Sequence, residues 1–472
     1  MIGCKKTARQ DPAPVISFTD PLASNPNFDL GVFTRTELGD ELYLPIDVSK
    51  IFHGYTDKIS YQSGEMVPLY LSDPVTGEKS IDLNDANGNS VLSFSTAVGQ
   101  QEIGSKKPWV EGFMYNKTTT VQLPENLRSG LYRLPGDIPI VCKGNNMSAD
   151  ITIVFPSNTY NAYNNYGGKS LYRPDEDASF RATVVSFLRY NPASAYDPSD
   201  AASFADSFFQ WMENQDYNAR YIVDIDLEDY SEIENSKTVI LVGKSEYWTR
   251  KARMNIDKFI ASGKNVLVLS GNTMYWQVRY NLKDNLMICY KSNNLDPLSN
   301  TIYSTYYWET PGYSYPVNAS IGADFIGGGY PMKVANPING FKIVREASPL
   351  LKGTGLKNGD LLNLPTVETD GAPVKKMILP GSAEIPVIDN SKMNFHKIEL
   401  LAYTFALNPN NDPGLGTFVV CQKTPSSGTV VNVASTNWCS VTGIGGADKE
   451  KIETITKNMI DGSLKGANLF TT

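Results

Sequence analysis

Thr238-Val239-Ile240-Leu241-Val242, then Gly243-Lys244-Ser245-Glu246-Tyr247-Trp248, then Thr249 to Ser262 closed by Gly263, then Asn265-Val266-Leu267-Val268-Leu269: the fold turns on this stretch. The two five-residue runs are apolar at every position but the first, or nearly so. That is how a strand covered on both faces reads; a strand with one wet face alternates. Between them, Thr249 to Ser262 carries apolar residues on one helical stripe and ends at a glycine, the residue that most easily takes a left-handed C-terminal position. Strand, helix, strand in this order predicts a parallel pair with a right-handed crossover, hence an α/β domain.

The same grammar extends outward. Ile151-Thr152-Ile153-Val154-Phe155 is another continuous apolar run, Ser199 to Asn214 reads as a helix with Phe204, Phe208 and Trp211 on one stripe, and Arg220 to Asp226 reads as a strand. Residues 285–345 are loop-like and aromatic, with Trp308, Tyr313, Tyr315 and Gly327-Gly328-Gly329. The remainder alternates strands and turns and closes on a charged helix from about Asp448 to Asp461. Upstream of 150 the pattern differs. Short segments rich in β-branched and aromatic residues are separated by turn chemistry such as Asp85-Ala86-Asn87-Gly88-Asn89, and Leu127 to Arg133 enters a strand through Gly130, as expected of an immunoglobulin-like β-sandwich. The expected organisation is a leader over 1–40, a sandwich over 41–149 and an α/β domain over 150–472 with an aromatic insertion at 285–345.

Composition narrows the chemistry. The chain has 472 residues, a formal net charge of −8 and two histidines, His53 and His396. Mild acidity argues against a nucleic-acid partner, which wants a basic face, and so few histidines argue against a histidine-rich zinc centre. The five cysteines, Cys4, Cys142, Cys289, Cys421 and Cys439, show no metal-binding spacing. Cys421 and Cys439 are either a disulfide between neighbouring strands or two buried thiols. Met1-Ile2-Gly3-Cys4-Lys5-Lys6 resembles the end of a lipoprotein signal without its apolar stretch. We therefore expect a cell-envelope lipoprotein anchored at Cys4, the only membrane contact expected, with a cytoplasmic start as the alternative. No run approaches the ~20 apolar residues of a spanning helix.

In an open parallel sheet, ligands sit beyond the carboxyl ends of the strands. Three such ends carry unusual polar sequence: Asn158 to Tyr172 with the motif Tyr166-Gly167-Gly168-Lys169-Ser170-Leu171-Tyr172, Gly243-Lys244-Ser245-Glu246-Tyr247-Trp248, and Ser270-Gly271-Asn272-Thr273-Met274-Tyr275-Trp276. These blocks should converge on one crevice. In order and in residue type they resemble the signature of the C-terminal domain of N,N-dimethylformamidase large (beta) subunits, over about 150–445.

The resemblance implies a domain similar to class I glutamine amidotransferases, flavodoxin-like in layout, but Ser270-Gly271-Asn272 stands where those enzymes carry their cysteine, so thiol catalysis is not expected. Ser270 as a nucleophile would need a base, and neither histidine is placed for it. The resemblance further implies hydrolysis of the C–N bond of a small amide or formamide at one iron ion. Tyr163, Tyr172 and Glu246 match the ligands, with Tyr160 as the substitute for Tyr163. Asn272 would steady the substrate carbonyl oxygen and Glu368 would act as general base. Hard oxygen donors of this kind suit iron. Lys244 departs from the family, which has histidine there, and leaves a metal-free site equally open, with Lys244 paired to Glu246 or donating to substrate. The alternatives at each position are ordinary ones: tyrosines that only pack, a structural Lys244–Glu246 ion pair, and Glu368 on an exposed turn. For the whole chain, the alternative to an amide hydrolase is an envelope lipoprotein that has lost chemistry and holds a small ligand, glycan or partner. A small companion subunit and homo-oligomerisation both stay open.

Overall fold

The computed structural model describes residues 18–34, 47–172, 181–192, 204–313 and 315–471. Most of the expected leader, including Cys4, lies outside them, as does the 199–203 start of the expected helix. The described chain combines all-β and mixed α/β architecture. Among the described residues no helix is long and apolar enough to cross a membrane.

Residues 53–142 form a three-stranded and a five-stranded sheet. Val67, Leu69 and Leu71 from one sheet and Ile81, Leu83, Tyr132 and Ile140 from the other share a single buried core. The alternation of Met66–Ser72, with Val67, Leu69 and Leu71 inward, is what a half-buried strand requires. The Asp85–Asn89 turn joins Gly77–Asn84 to Ser90–Val98 as an antiparallel hairpin, with the Asp85 carboxylate accepting from the Asn87 and Asn89 amides. Gly130 opens the strand Gly130–Leu134 as expected.

The second body is a nine-stranded sheet. In spatial order, Ala219–Val223, Ile151–Phe155, Thr238–Lys244, Asn265–Gly271 and Thr429–Asn432 run parallel. The long antiparallel pair Pro413–Gln422 and Lys397–Leu407 follows, then Gly340–Ile343 and Leu361–Asn363. The sheet is therefore mixed, not purely parallel, because the chain returns through the short 408–412 turn instead of a helical crossover. The crossover helix is Arg250–Ala261, with Thr249 as its N-cap accepting from the Ala252 amide. Its buried Ala252, Ile256, Phe259 and Ile260 cover one face of the sheet. The C-terminal helix Lys449–Leu464 covers the other with Ile452, Ile455, Met459 and Ile460.

Several elements differ from the sequence reading. The helix expected from Ser199 runs Asp206–Glu213, with Ala205 at its cap and no side-chain capping bond; Phe204 is buried just ahead of it. The strand expected to reach Asp226 stops at Val223, because the Asp224 carboxylate accepts from the Asn158 amide and the chain tightens into a 3-10 turn over Asp224–Glu228. The 285–345 segment is not all loop. Asp324–Gly329 pairs with Thr369–Gly371, and the glycine run is what permits it: a Cβ on Gly328 would stand 2.0 Å from the Thr369 carbonyl oxygen. Cys421 and Cys439 are buried free thiols in two different core clusters.

Candidate functional site

The three polar blocks meet. After Ile151–Phe155 the chain turns into the helix Ser157–Tyr163, every residue of which is buried. Asn158 ties it down by donating to the Tyr247 carbonyl and to the Tyr280 hydroxyl. The Thr159 hydroxyl accepts from the Glu246 amide at 2.9 Å, which fixes the second block against the first. The second and third blocks are joined by backbone: the Met274 amide donates to Ser245 and the Trp276 amide to Glu246. Glu368 is brought in from far along the chain, its amide donating to the Thr436 hydroxyl and its carbonyl accepting from the Thr436 amide, just past the last parallel strand.

The result is a cavity of about 220 Å³ whose lining includes Tyr163, Tyr172, Glu246, Asn272 and Glu368. Held against three of these lining residues, the Lys244 Nζ stands 2.8 Å from the Glu368 Oε2, 3.6 Å from the Glu246 Oε2 and 2.9 Å from the Tyr163 hydroxyl, to which it donates. The Tyr163 hydroxyl in turn donates to the Glu246 Oε2 at 2.7 Å. Lys244 is thus nearest to Glu368, not to Glu246, and all three charged groups are buried. Burial pulls the Lys244 ammonium down, but Glu368 and Glu246 outweigh it and hold it above its ordinary value. Burial pushes the Glu246 carboxyl up, against the pull of Lys244 and Lys291 and with added repulsion from Glu368. The two carboxylates account for the rise of Lys244, and burial, which their shared ammonium does not offset, for that of Glu246.

Asn272 follows the strand Asn265–Gly271 with a left-handed backbone, φ 49°. Its Nδ2 donates to the Glu368 Oε2 at 3.3 Å, while its Oδ1 is buried without a partner. The same Glu368 Oε2 already faces the Lys244 ammonium as an acceptor, which fixes that orientation, since the opposite one would set two acceptors face to face. The free group on Asn272 is therefore an acceptor, suited to a substrate N–H rather than to its carbonyl oxygen. The tight turn beneath it depends on Gly271, where a Cβ would lie 2.6 Å from the Thr436 nitrogen and 2.8 Å from the Glu368 carbonyl oxygen. Gly271→Ala is expected to destabilise the fold by about 1–3 kcal/mol, the usual cost of forcing a methyl into a full interior, read as a lowered midpoint in urea.

The Tyr172 ring lies tilted against that of Tyr163, 4.6 Å between centroids, and Tyr172 is 39% exposed where it lines the cavity. Tyr160, the substitute for Tyr163, stacks on Phe155 at 5.0 Å away from the cavity. Ser270 is buried and bonded to the Ser245 amide and the Thr273 hydroxyl. His53 sits in the sandwich core against Tyr115, far from any role as its base. Glu368 is 6% exposed, so it is not the surface turn residue it could have been. The cavity also holds Lys291, Tyr275, Phe325 and Tyr330, which sequence reasoning did not single out. Lys291 belongs to no motif; Tyr275 lies inside the third block and was the one recoverable from it.

An iron ion held by Tyr163, Tyr172 and Glu246 does not fit this arrangement. The Lys244 ammonium already stands among the Tyr163, Glu246 and Glu368 oxygens and balances their charge. A second cation would meet it at close range in a buried setting, where like charges repel strongly.

The site is thus a buried Lys–Glu–Tyr cluster at the carboxyl ends of the parallel strands of a mixed α/β domain. The model of the N,N-dimethylformamidase beta subunit-like family, C-terminal, matches residues 89–448, well over half the chain, and the chain belongs to that family. The match begins inside the expected sandwich, not at residue 150. No curated protein matches the chain.

Proposed function

We propose that this chain hydrolyses the C–N bond of a small linear amide in the cavity between the three blocks, using Lys244 where the family resemblance implies a metal cation. The observation that carries the reading is the buried ion pair at 2.8 Å between Lys244 and the cavity-lining Glu368, beside an unpartnered Asn272 Oδ1. The family membership supports the reaction class. On its strand spacing we read the sandwich as immunoglobulin-like, and on the family resemblance the mixed-sheet domain as amidotransferase-like.

The chemistry balances without further reagents. Asn272 Oδ1 accepts the amide N–H and Glu368 removes a proton from water, whose oxygen bonds to the carbonyl carbon. As Glu368 takes the proton it loses its charge, so the Lys244 ammonium is released from its partner at the moment an oxyanion forms and needs a cation. Glu368 then passes the proton to the leaving nitrogen, the C–N bond breaks, and a carboxylic acid and an amine are released.

The test is incubation of the purified protein with linear amides, formamide and N-methylformamide among them, with amine release followed by derivatisation and formate by enzymatic assay. Release of both products in equal amounts is expected. Saturable binding without turnover of any amide would sink the hydrolase and favour a chain that only holds a ligand.

A further inference from the structure

Lys291 lines the cavity and nothing in the reaction above uses it. Its side chain is 7% exposed, on a residue with left-handed backbone (φ 52°) just beyond the strand Leu286–Ile288. Its ammonium donates to the Tyr247 hydroxyl at 2.7 Å and lies over the rings of Trp276 and Tyr247, at 4.6 and 5.0 Å from their centroids. Among the described residues no carboxylate pairs with it. Arg181 lines the same cavity and likewise has no carboxylate partner among the described residues. Among the described residues, Lys291 and Arg181 of the lining, with Lys244 held against its carboxylates, stand opposite two carboxylates, Glu246 and Glu368, an excess of one positive charge. A buried ammonium is costly to desolvate and rarely stays unpaired, so a site of this kind is completed by an anion.

We propose that Lys291, with Arg181, binds a carboxylate carried by the substrate, so that the natural substrate is an amide bearing an anionic group, such as an N-acyl amino acid. The reaction rests on the hydrolase reading; the anion site does not. The aromatic rings flanking Lys291 leave its remaining N–H donors to a ligand, and Trp276 offers the ligand an apolar wall. A neutral amide fills only the Asn272 end. Burial draws the Lys291 ammonium down to about 8; Glu246 and Cys289 oppose this, while Arg181 and Lys244 add to it. Tyr247 and Tyr172 also face it. The ammonium is lost as pH rises through that value, so affinity for an anionic amide falls above about pH 8, and that for a neutral amide does not follow it.

The experiment is calorimetric titration of N-formylglycine and of neutral N-formylglycinamide into the full-length protein at pH 7. The anion is expected to bind at least tenfold more tightly. Lys291→Met should erase the difference and Lys291→Arg should retain it, with Arg181→Gln, at a half-buried position, as the independent variant should Lys291→Met fail to fold. Equal affinity for the two probes, no binding of either, or a preference that survives Lys291→Met or Arg181→Gln would overturn the proposal. Formate release measured on the same samples reads the reaction separately: anion selectivity without turnover would sink the hydrolase and keep the anion site.

Discussion

Glu368→Gln is expected to lower kcat for amide hydrolysis by about 10²–10⁴-fold, the span ordinarily lost with a general base. The amide is isosteric with the carboxyl, and Asn272 and Lys244 both remain within reach of its oxygen, so KM should move far less than kcat. Glutamine cannot take a proton from water, and it cannot release Lys244 by becoming neutral, since it is neutral already. Two steps of the reaction are removed by one atom. The main chain at 368 is anchored through Thr436 and is untouched by the exchange, so circular dichroism and the melting temperature serve as the check on folding. A kcat within threefold of the parent, in a folded variant, would place the base elsewhere, with Glu246 the next carboxylate on the cavity wall.

The parts of the molecule readable from sequence are those in which local pattern and tertiary role agree. Ile151–Phe155, Thr238–Lys244 and Asn265–Gly271 are apolar along their length because both faces are covered, and Arg250–Ala261 has its cap at Thr249 and its stop at Gly263. The meeting of the three polar blocks followed from strand order alone. What was not legible came from long-range partners. Val223 ends its strand because a carboxylate one residue on is taken by Asn158, sixty-six positions away. Gly327 to Gly329 read as loop because glycine has no strand preference, yet close approach to Thr369 makes them a strand. Lys244 stands two residues before Glu246 in sequence, and only the fold shows that its closer partner is Glu368. Lys291 stands in a stretch with no periodicity, so its burial in the cavity had no local signal.

Lys244→Ala is expected to cost about 3–5 kcal/mol of stability in chelated buffer, the usual penalty for breaking a buried ion pair from one side. Glu246 and Glu368 would then share a buried cavity wall without their ammonium, and Tyr163 would lose its second partner. The carboxylates can recover in two ways. One is to bind protons: burial already holds the Glu246 carboxyl above its ordinary value, and without the ammonium that opposes this it rises further, so the variant's lost stability should return as the pH is lowered and worsen as it is raised through that range. The other is to bind a cation, and two carboxylates beside a phenol are a hard-oxygen set that suits iron. Added iron should therefore raise the melting temperature of Lys244→Ala in a concentration-dependent way, by linkage, and bring a visible tyrosinate-to-iron absorption band. The parent, whose ammonium already holds that place, should show neither. Uptake of about one iron per chain by the parent on simple addition would mean that Lys244 swings aside for a metal, and the metal-free reading of this site would fall.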